Sequence, residues 1–391
     1  MGDALLRDLT DDEARRALVC KWGSVDPDVL PAWVAEMDYA LAPPVVAAVT
    51  AAVAAGMTGY PRFERGGALG EAYAAFARRH YGHQVDPGQV LPVVDVTSGV
   101  RLLLDVLSDP GPMVMPLPAY HPQLDIAQVT GRRRVDLVVD PDAARAELDL
   151  DRLDALLAAG ARTLLLTQPH NPWGRAFSRA ELEGVRDVVV RHGARVISDE
   201  IHAPLVLPGA EHVPYLSLDG TAEHAVAVVA ASKAFNTAGL RCAQIVTADP
   251  ATLERLLRAP MARNDSWSPL GVVAAVAAYT DGDPWLAALV DRLAAQRELL
   301  TALLAEHLPE ARMRPLEATY LAWLDLRAYG YADPAARVLE RGRVKTAPGH
   351  HYHPGLTGHL RLNIATSPQR LTEIVRRMAD ALVTEPEPAP R

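Results

Sequence analysis

Short, continuous apolar runs alternate with longer stretches of helical period through the middle of this chain. The runs at 112–115, 163–167, 195–198, 225–230 and 243–247 read as strands. Strands of a mainly parallel sheet are covered on both faces, so they lose the in–out alternation of a half-exposed strand. Between them, 179–192 predicts a helix, with Ser178 as N-cap and Glu181 three residues later. Strands that alternate with helices in this order predict an α/β fold built on a parallel sheet. Beyond Asp283-Pro284 the pattern changes to one long helical stretch up to about His307, then weaker strand signals at 320–326 and 360–364. The expected division is a large domain over 44–283 and a smaller α+β domain formed by 284–391 together with the segment 1–43. The Glu-Pro alternation at 385–390 predicts a frayed end.

Composition narrows the class. A chain of 391 residues is too long for one small core. A net charge of −9 without a long basic run argues against nucleic acid as a partner. Cys20 and Cys242 give neither a disulfide framework nor a metal-type spacing, which fits a reducing compartment. The first residues lack a secretory apolar region, and Leu6 stands where a myristoylation signal needs Ser or Thr. No apolar run approaches the roughly 20 residues that span a bilayer. These readings predict a cytoplasmic protein with no membrane partner.

Candidate chemistry collects at the ends of the strands, where open α/β sheets bind ligands. Lys233 follows the run 225–230; lysine is rarely buried, and a desolvated amine is suited to forming a Schiff base or taking a proton. Arg241, after Gly239, offers a planar fork that matches a phosphate. Asp199, in Ser198-Asp199-Glu200-Ile201-His202, places a carboxylate at a strand end, where it can pair with a protonated pyridine nitrogen. Asn171 lies in a turn stiffened by Pro169, Pro172 and Gly174. Thr97-Ser98-Gly99-Val100 reads as a turn opening a helix, with N–H groups available to an anion and Gly99 permitting close approach. Each motif alone also has an ordinary reading as a cap, a turn or a solvated charge.

Taken in order, Asn171-Pro172 with Gly174, Asp199 to His202, Ser232-Lys233, Arg241 and Arg361-Leu362-Asn363 resemble fold-type I pyridoxal-phosphate (PLP) enzymes of the class I/II aminotransferase superfamily. Within it, Trp33-Val34-Ala35-Glu36-Met37-Asp38-Tyr39 and Ser232 to Leu240 are similar to the MalY/PatB branch of cystathionine β-lyases, or cysteine-S-conjugate β-lyases. The resemblance runs from about residue 20 to 375. It implies a large domain with a mainly parallel seven-stranded sheet and a smaller α+β domain. It further implies PLP as cofactor, held by Lys233 as a Schiff base. Asp199 would face the pyridine nitrogen, and Asn171 the ring oxygen. His202 would stand where related transaminases carry a tyrosine that donates to that oxygen. Tyr120 would stack on the ring. Arg241, Ser232 and the N–H groups of Gly99 and Val100 would hold the phosphate. Tyr60 would reach the phosphate of a partner subunit, which makes a homodimer the expected assembly. Arg361 would grip the substrate α-carboxylate, with Trp33, Tyr60 and His351 on the substrate side. Lys233, Tyr120 and Asp199 are the residues expected to act in catalysis.

The implied activity is α,β-elimination from an S-substituted cysteine, giving a thiol, pyruvate and ammonia. Its rivals are transamination, decarboxylation or oxidative deamination of a cysteine S-conjugate, and a non-catalytic regulator of the same fold. The segment Pro348-Gly349-His350-His351-Tyr352-His353 departs from the family, which has a short turn there. Three histidines without an adjacent acid or cysteine point to the wall of a substrate mouth, shared with His121, rather than to a metal site.

Overall fold

The computed structural model describes residues 5–62 and 66–383; the Glu-Pro tail at 385–390 lies outside them. Seven strands form the central sheet: β1 (Val90–Val93), β2 (Met113–Leu117), β3 (Arg134–Val138), β4 (Thr163–Thr167), β5 (Arg195–Asp199), β6 (Ala225–Val229) and β7 (Ala243–Val246). Their order is β1-β7-β6-β5-β4-β2-β3, and β7 alone runs antiparallel to both neighbours. The expected seven-stranded, mainly parallel sheet is therefore present. The central strands β4 and β6 are buried at every position, which is why they read as unbroken apolar runs. The sequence pattern missed β1 and β3, the two edges. Pro92 interrupts β1, a position tolerated because an edge strand leaves one side unpaired. Arg134 and Asp136 interrupt the apolar run of β3, a partly exposed strand, and the two side chains pair at 2.7 Å.

Helix α1 (Val96–Leu107) packs its apolar face, including Val100, Leu103 and Leu104, on the sheet. Helix α2 (Arg179–Arg191) starts with the expected capping box, Ser178 and Glu181 each bonding the other's backbone. Helix α3 (Pro269–Asp281) crosses beneath the loop that carries Arg241. A Cβ on its Gly271 would stand 2.2 Å from the carbonyl oxygen of Leu240, so this close approach requires glycine. The long helix α4 (Asp283–His307) follows at once.

A second, antiparallel sheet orders β8 (Arg312–Met313), β9 (Leu321–Asp325), β10 (Ala347–Pro348) and β11 (His359–Asn363) as β10-β11-β9-β8. Helices α5 (Pro334–Gly342) and α6 (Pro368–Val383) flank it. The N-terminal segment is stitched to this part of the chain. Leu30 and Pro31 pair in parallel with Val344 and Lys345, and Asp38 N donates to Ala365 O at 2.9 Å. The buried carboxylate of Asp38 takes the Lys21 ammonium at 2.9 Å and the Trp22 indole N–H at 2.7 Å. Removing one partner of such a fully buried pair leaves an uncompensated charge, a loss of about 3–5 kcal/mol. This anchor sets Trp33 and Ala35 against the ends of the central strands, and the space between becomes a cavity.

Candidate active site

The cavity holds about 450 Å³ and is lined by Lys233, Asp199, Asn171, His202, Arg241 and Arg361, among others. Tyr120, Ser232, Trp33 and His351 share the same walls. Side chains up to 328 positions apart in the chain thus converge on one space, as their order in the sequence predicts. Tyr60 does not join them; it is 93% exposed.

At one end lies the start of α1. Asp95 is its N-cap and accepts from Ser98 N at 2.7 Å. Gly99 N donates to Asp95 O at 2.9 Å, and Val100 lies further inside the helical ladder. This corrects the expectation that Gly99 and Val100 offer their N–H groups to a phosphate, because both amides are committed to the helix. The bare face of Gly99 meets the sheet, with an added Cβ 3.0 Å from Val228 Cγ1. The amides left open by the first helical turn are those of Val96 and Thr97, and both residues line the cavity. Arg241, in the left-handed region at φ 53°, sends Nη1 to Asp95 Oδ2 at 2.6 Å. An anion here would share Arg241 with that carboxylate.

In the middle, Asp199 ends β5 fully inside the protein. Gln123 Nε2 donates to its Oδ2 at 2.6 Å, and Ile201 N to its Oδ1 at 3.2 Å. Gln123 Oε1 accepts from Thr167 Oγ1, which fixes the amide's direction. Burial pushes the Asp199 carboxyl up to about 6, while the two hydrogen bonds pull the other way. The next residue, Glu200, turns away into a separate buried set with Ser198, His212 and the amide of Tyr215. His202 is buried, and burial with the nearby Lys233 and Arg361 cations lowers it to about 3, so its imidazole is neutral. Its Nδ1 has no partner.

Lys233 Nζ donates to Ala35 O at 3.1 Å, and Tyr320 donates its hydroxyl to the same oxygen. Burial first, then the Arg361 cation, brings the amine down to about 8. Arg361, on β11, is 4% exposed. Its Nη1 donates to Asn171 Oδ1 at 3.0 Å and its Nη2 to Trp33 O at 2.7 Å, while its Nε has no partner. Since the Asn171 oxygen is occupied, the amide's NH₂ is left to donate.

These features fit PLP. There is a buried carboxylate for a ring nitrogen, an orphaned imidazole and a free amide for a ring oxygen. Helix-start amides with an arginine suit a phosphate, and a depressed lysine suits a carbonyl carbon. The three loop histidines diverge. His350 turns to Asp333 at 3.9 Å, His353 Nδ1 accepts from Gly355 N, and only His351 reaches the cavity. Sequence reasoning missed Gln123, Asp95, Tyr320 and Lys345. Gln123 carried no pattern beyond following Tyr120 closely. Lys345 had one signal: the chain contains three lysines against thirty-six arginines.

Comparison with known proteins identifies the family. The chain belongs to the aminotransferase class I and II family, whose model matches residues 25–378. It is similar to the cystathionine beta-lyase of Corynebacterium glutamicum, 35% identical over 95% of this chain and 98% of that protein. It is also similar to cystathionine beta-lyase PatB of Bacillus subtilis, at 33% identity over 91% of this chain and 93% of that one. Among solved structures, the PLP-bound C-S lyase of Staphylococcus hominis superposes with a TM-score of 0.85. It is 25% identical, covering 91% of this chain and 92% of that one.

The Gln123 contact favours ionised Asp199, so Gln123→Leu should raise the Asp199 pKa above about 6. Cofactor retention, followed by visible absorbance against pH, should then fail at a pH higher by about one unit. An unchanged acid limit would show that Gln123 does not tune Asp199.

Proposed function

We propose that this protein is a PLP-dependent carbon–sulfur β-lyase. It cleaves an S-substituted cysteine by α,β-elimination to a thiol, pyruvate and ammonia. The observation that carries this reading is the near full-length similarity to proteins named cystathionine beta-lyase, on a cavity whose residues fit the cofactor.

When bound, PLP supplies the electron sink that lets the α-carbon lose its proton. Asp199, kept anionic by Gln123 and Ile201, would hold the positive charge on the ring nitrogen. Asn171 and neutral His202 would donate to the ring oxygen. Val96 and Thr97 amides, Arg241 and Ser232 would fix the phosphate, and Tyr120 would cover the ring face. Arg361, already oriented by Asn171 and Trp33, would bind the α-carboxylate with its remaining donors. Lys233, once free of its bond to the cofactor, would take the α-proton on Nζ and pass it to the departing sulfur. A pKa near 8 lets one amine do both near neutral pH. The β C–S bond breaks, and water converts the remaining three-carbon enamine to pyruvate and ammonia.

Residues 44–283 are proposed as the large domain, with 1–43 and 284–391 as the small one. A homodimer is proposed in which Tyr60 enters the partner's site. Exposed Val46 and Val53, seven positions apart on one helical face, and exposed Met57 support an apolar interface near it. A cytoplasmic setting would keep the unpaired thiols Cys20 and Cys242 reduced.

Given an S-alkylcysteine, the holoenzyme should release thiol and pyruvate in equal amounts. Formation of glutamate from 2-oxoglutarate with no thiol would replace the lyase with an aminotransferase. For the dimer, Lys233→Ala and Tyr60→Ala chains, each inactive alone, should regain roughly a quarter of full activity when co-expressed, through the one intact site of each mixed dimer. No recovery would place Tyr60 outside the partner's site.

A further inference from the structure

Two arginines and two lysines line the cavity, and the reading above occupies three of these four basic side chains. Arg241 meets the phosphate, Arg361 meets the α-carboxylate, and Lys233 bonds the cofactor. Lys345 is left over. Its ammonium sits 4.1 Å from the centre of the Trp33 ring, and among the described residues it forms no ion pair. The cavity's two carboxylates are engaged elsewhere, Asp95 with Arg241 and Asp199 with Gln123.

Its position is set by the fold rather than by a flexible loop. Lys345 is in register with Pro31, and Ala32 N donates to its carbonyl at 2.7 Å. Trp33, two residues further on, links the two cations. Its carbonyl accepts from Arg361 and its indole lies under Lys345. The other two lysines of the chain both have interior tasks, Lys21 against Asp38 and Lys233 in the cavity. Surface cations here are arginines, so a cavity lysine is not surface filler. His121 and His351 also line the cavity, both below their ordinary range through burial, so neither is a competing cation near neutral pH.

We propose that Lys345 binds a carboxylate on the sulfur substituent of the substrate, which makes cysteine S-conjugates with an anionic distal end the preferred class. This rests on the lyase reading for the place of the α-carboxylate at Arg361. A compact ammonium with three rotatable donors can follow carboxylates on chains of differing length, which a rigid guanidinium fork does less well.

The test compares S-(2-carboxyethyl)-L-cysteine with its neutral isostere S-isopentyl-L-cysteine on the holoenzyme. Thiol release gives kcat/KM, and the shift in cofactor absorbance on titration gives Kd without requiring turnover. The carboxylated conjugate should be preferred in both by roughly five- to tenfold. Lys345→Met should bring that ratio to about one, while Lys345→Arg keeps most of it. Equal values for the two conjugates in the unmodified protein, or a preference that survives Lys345→Met, would overturn the proposal. Preferential binding without thiol release would reject the lyase reading and leave Lys345 in its role. Thiol release without preference would do the reverse.

Discussion

Lys233 and Asp199 are both held out of water at the ends of neighbouring strands, and each is pushed toward its neutral form by that burial. Taken separately, a buried ammonium and a buried carboxylate are each costly, because desolvation disfavours the charged state. Here they do not touch; Lys233 leans on Ala35 O and Asp199 on Gln123 and Ile201. Both line one cavity, and in the proposed reading Asp199 would hold the cofactor's ring nitrogen while Lys233 would bond its carbonyl carbon. The rest of the site holds that cavity open. Arg361 is pinned by Asn171 and Trp33, and Trp33 is pinned through the N-terminal segment by the buried Lys21–Asp38 pair.

Much of this was legible in the sequence, because the decisive side chains follow strands whose apolar runs are unmistakable. Lys233, Asp199 and Asn171 each come within a few residues of a buried strand end, so the topology alone places them together. Arg361 sits within β11, where the weaker strand signal still located it. The helix start was misjudged by one turn. Gly99 looked like the phosphate turn, but Asp95 caps the helix four residues earlier, so Val96 and Thr97 carry the open amides. The Asp95-to-Ser98 spacing is a capping signal that the apolar pattern does not report. Edge strands β1 and β3 escaped because Pro92, Arg134 and Asp136 are what edges tolerate. Gln123, Tyr320 and Lys345 matter through tertiary contacts, and no local period marks them.

The charge inside the cavity also differs in kind from the charge of the whole chain. A net −9 surrounds a pocket lined by two arginines, two lysines and two carboxylates. Such a pocket suits anions, and in the proposed reading a phosphate would meet Arg241 and an α-carboxylate Arg361, with Lys233 bonded to the cofactor and Lys345 left over. The neutral histidines His121, His202 and His351 add donors and acceptors without adding charge near pH 7. In the proposed reading, specificity among conjugates would rest on Lys345, while the chemistry would rest on Lys233 and Asp199 with Arg361 holding the substrate.

The chain's three lysines make the central claim directly measurable. Borohydride reduction of the PLP-loaded protein, followed by proteolysis and mass spectrometry, fixes the cofactor to whichever amine bonds it. The account predicts the pyridoxyl mass on the peptide containing Lys233 alone. The same mass on Lys21 or Lys345, with Lys233 unmodified, would contradict it.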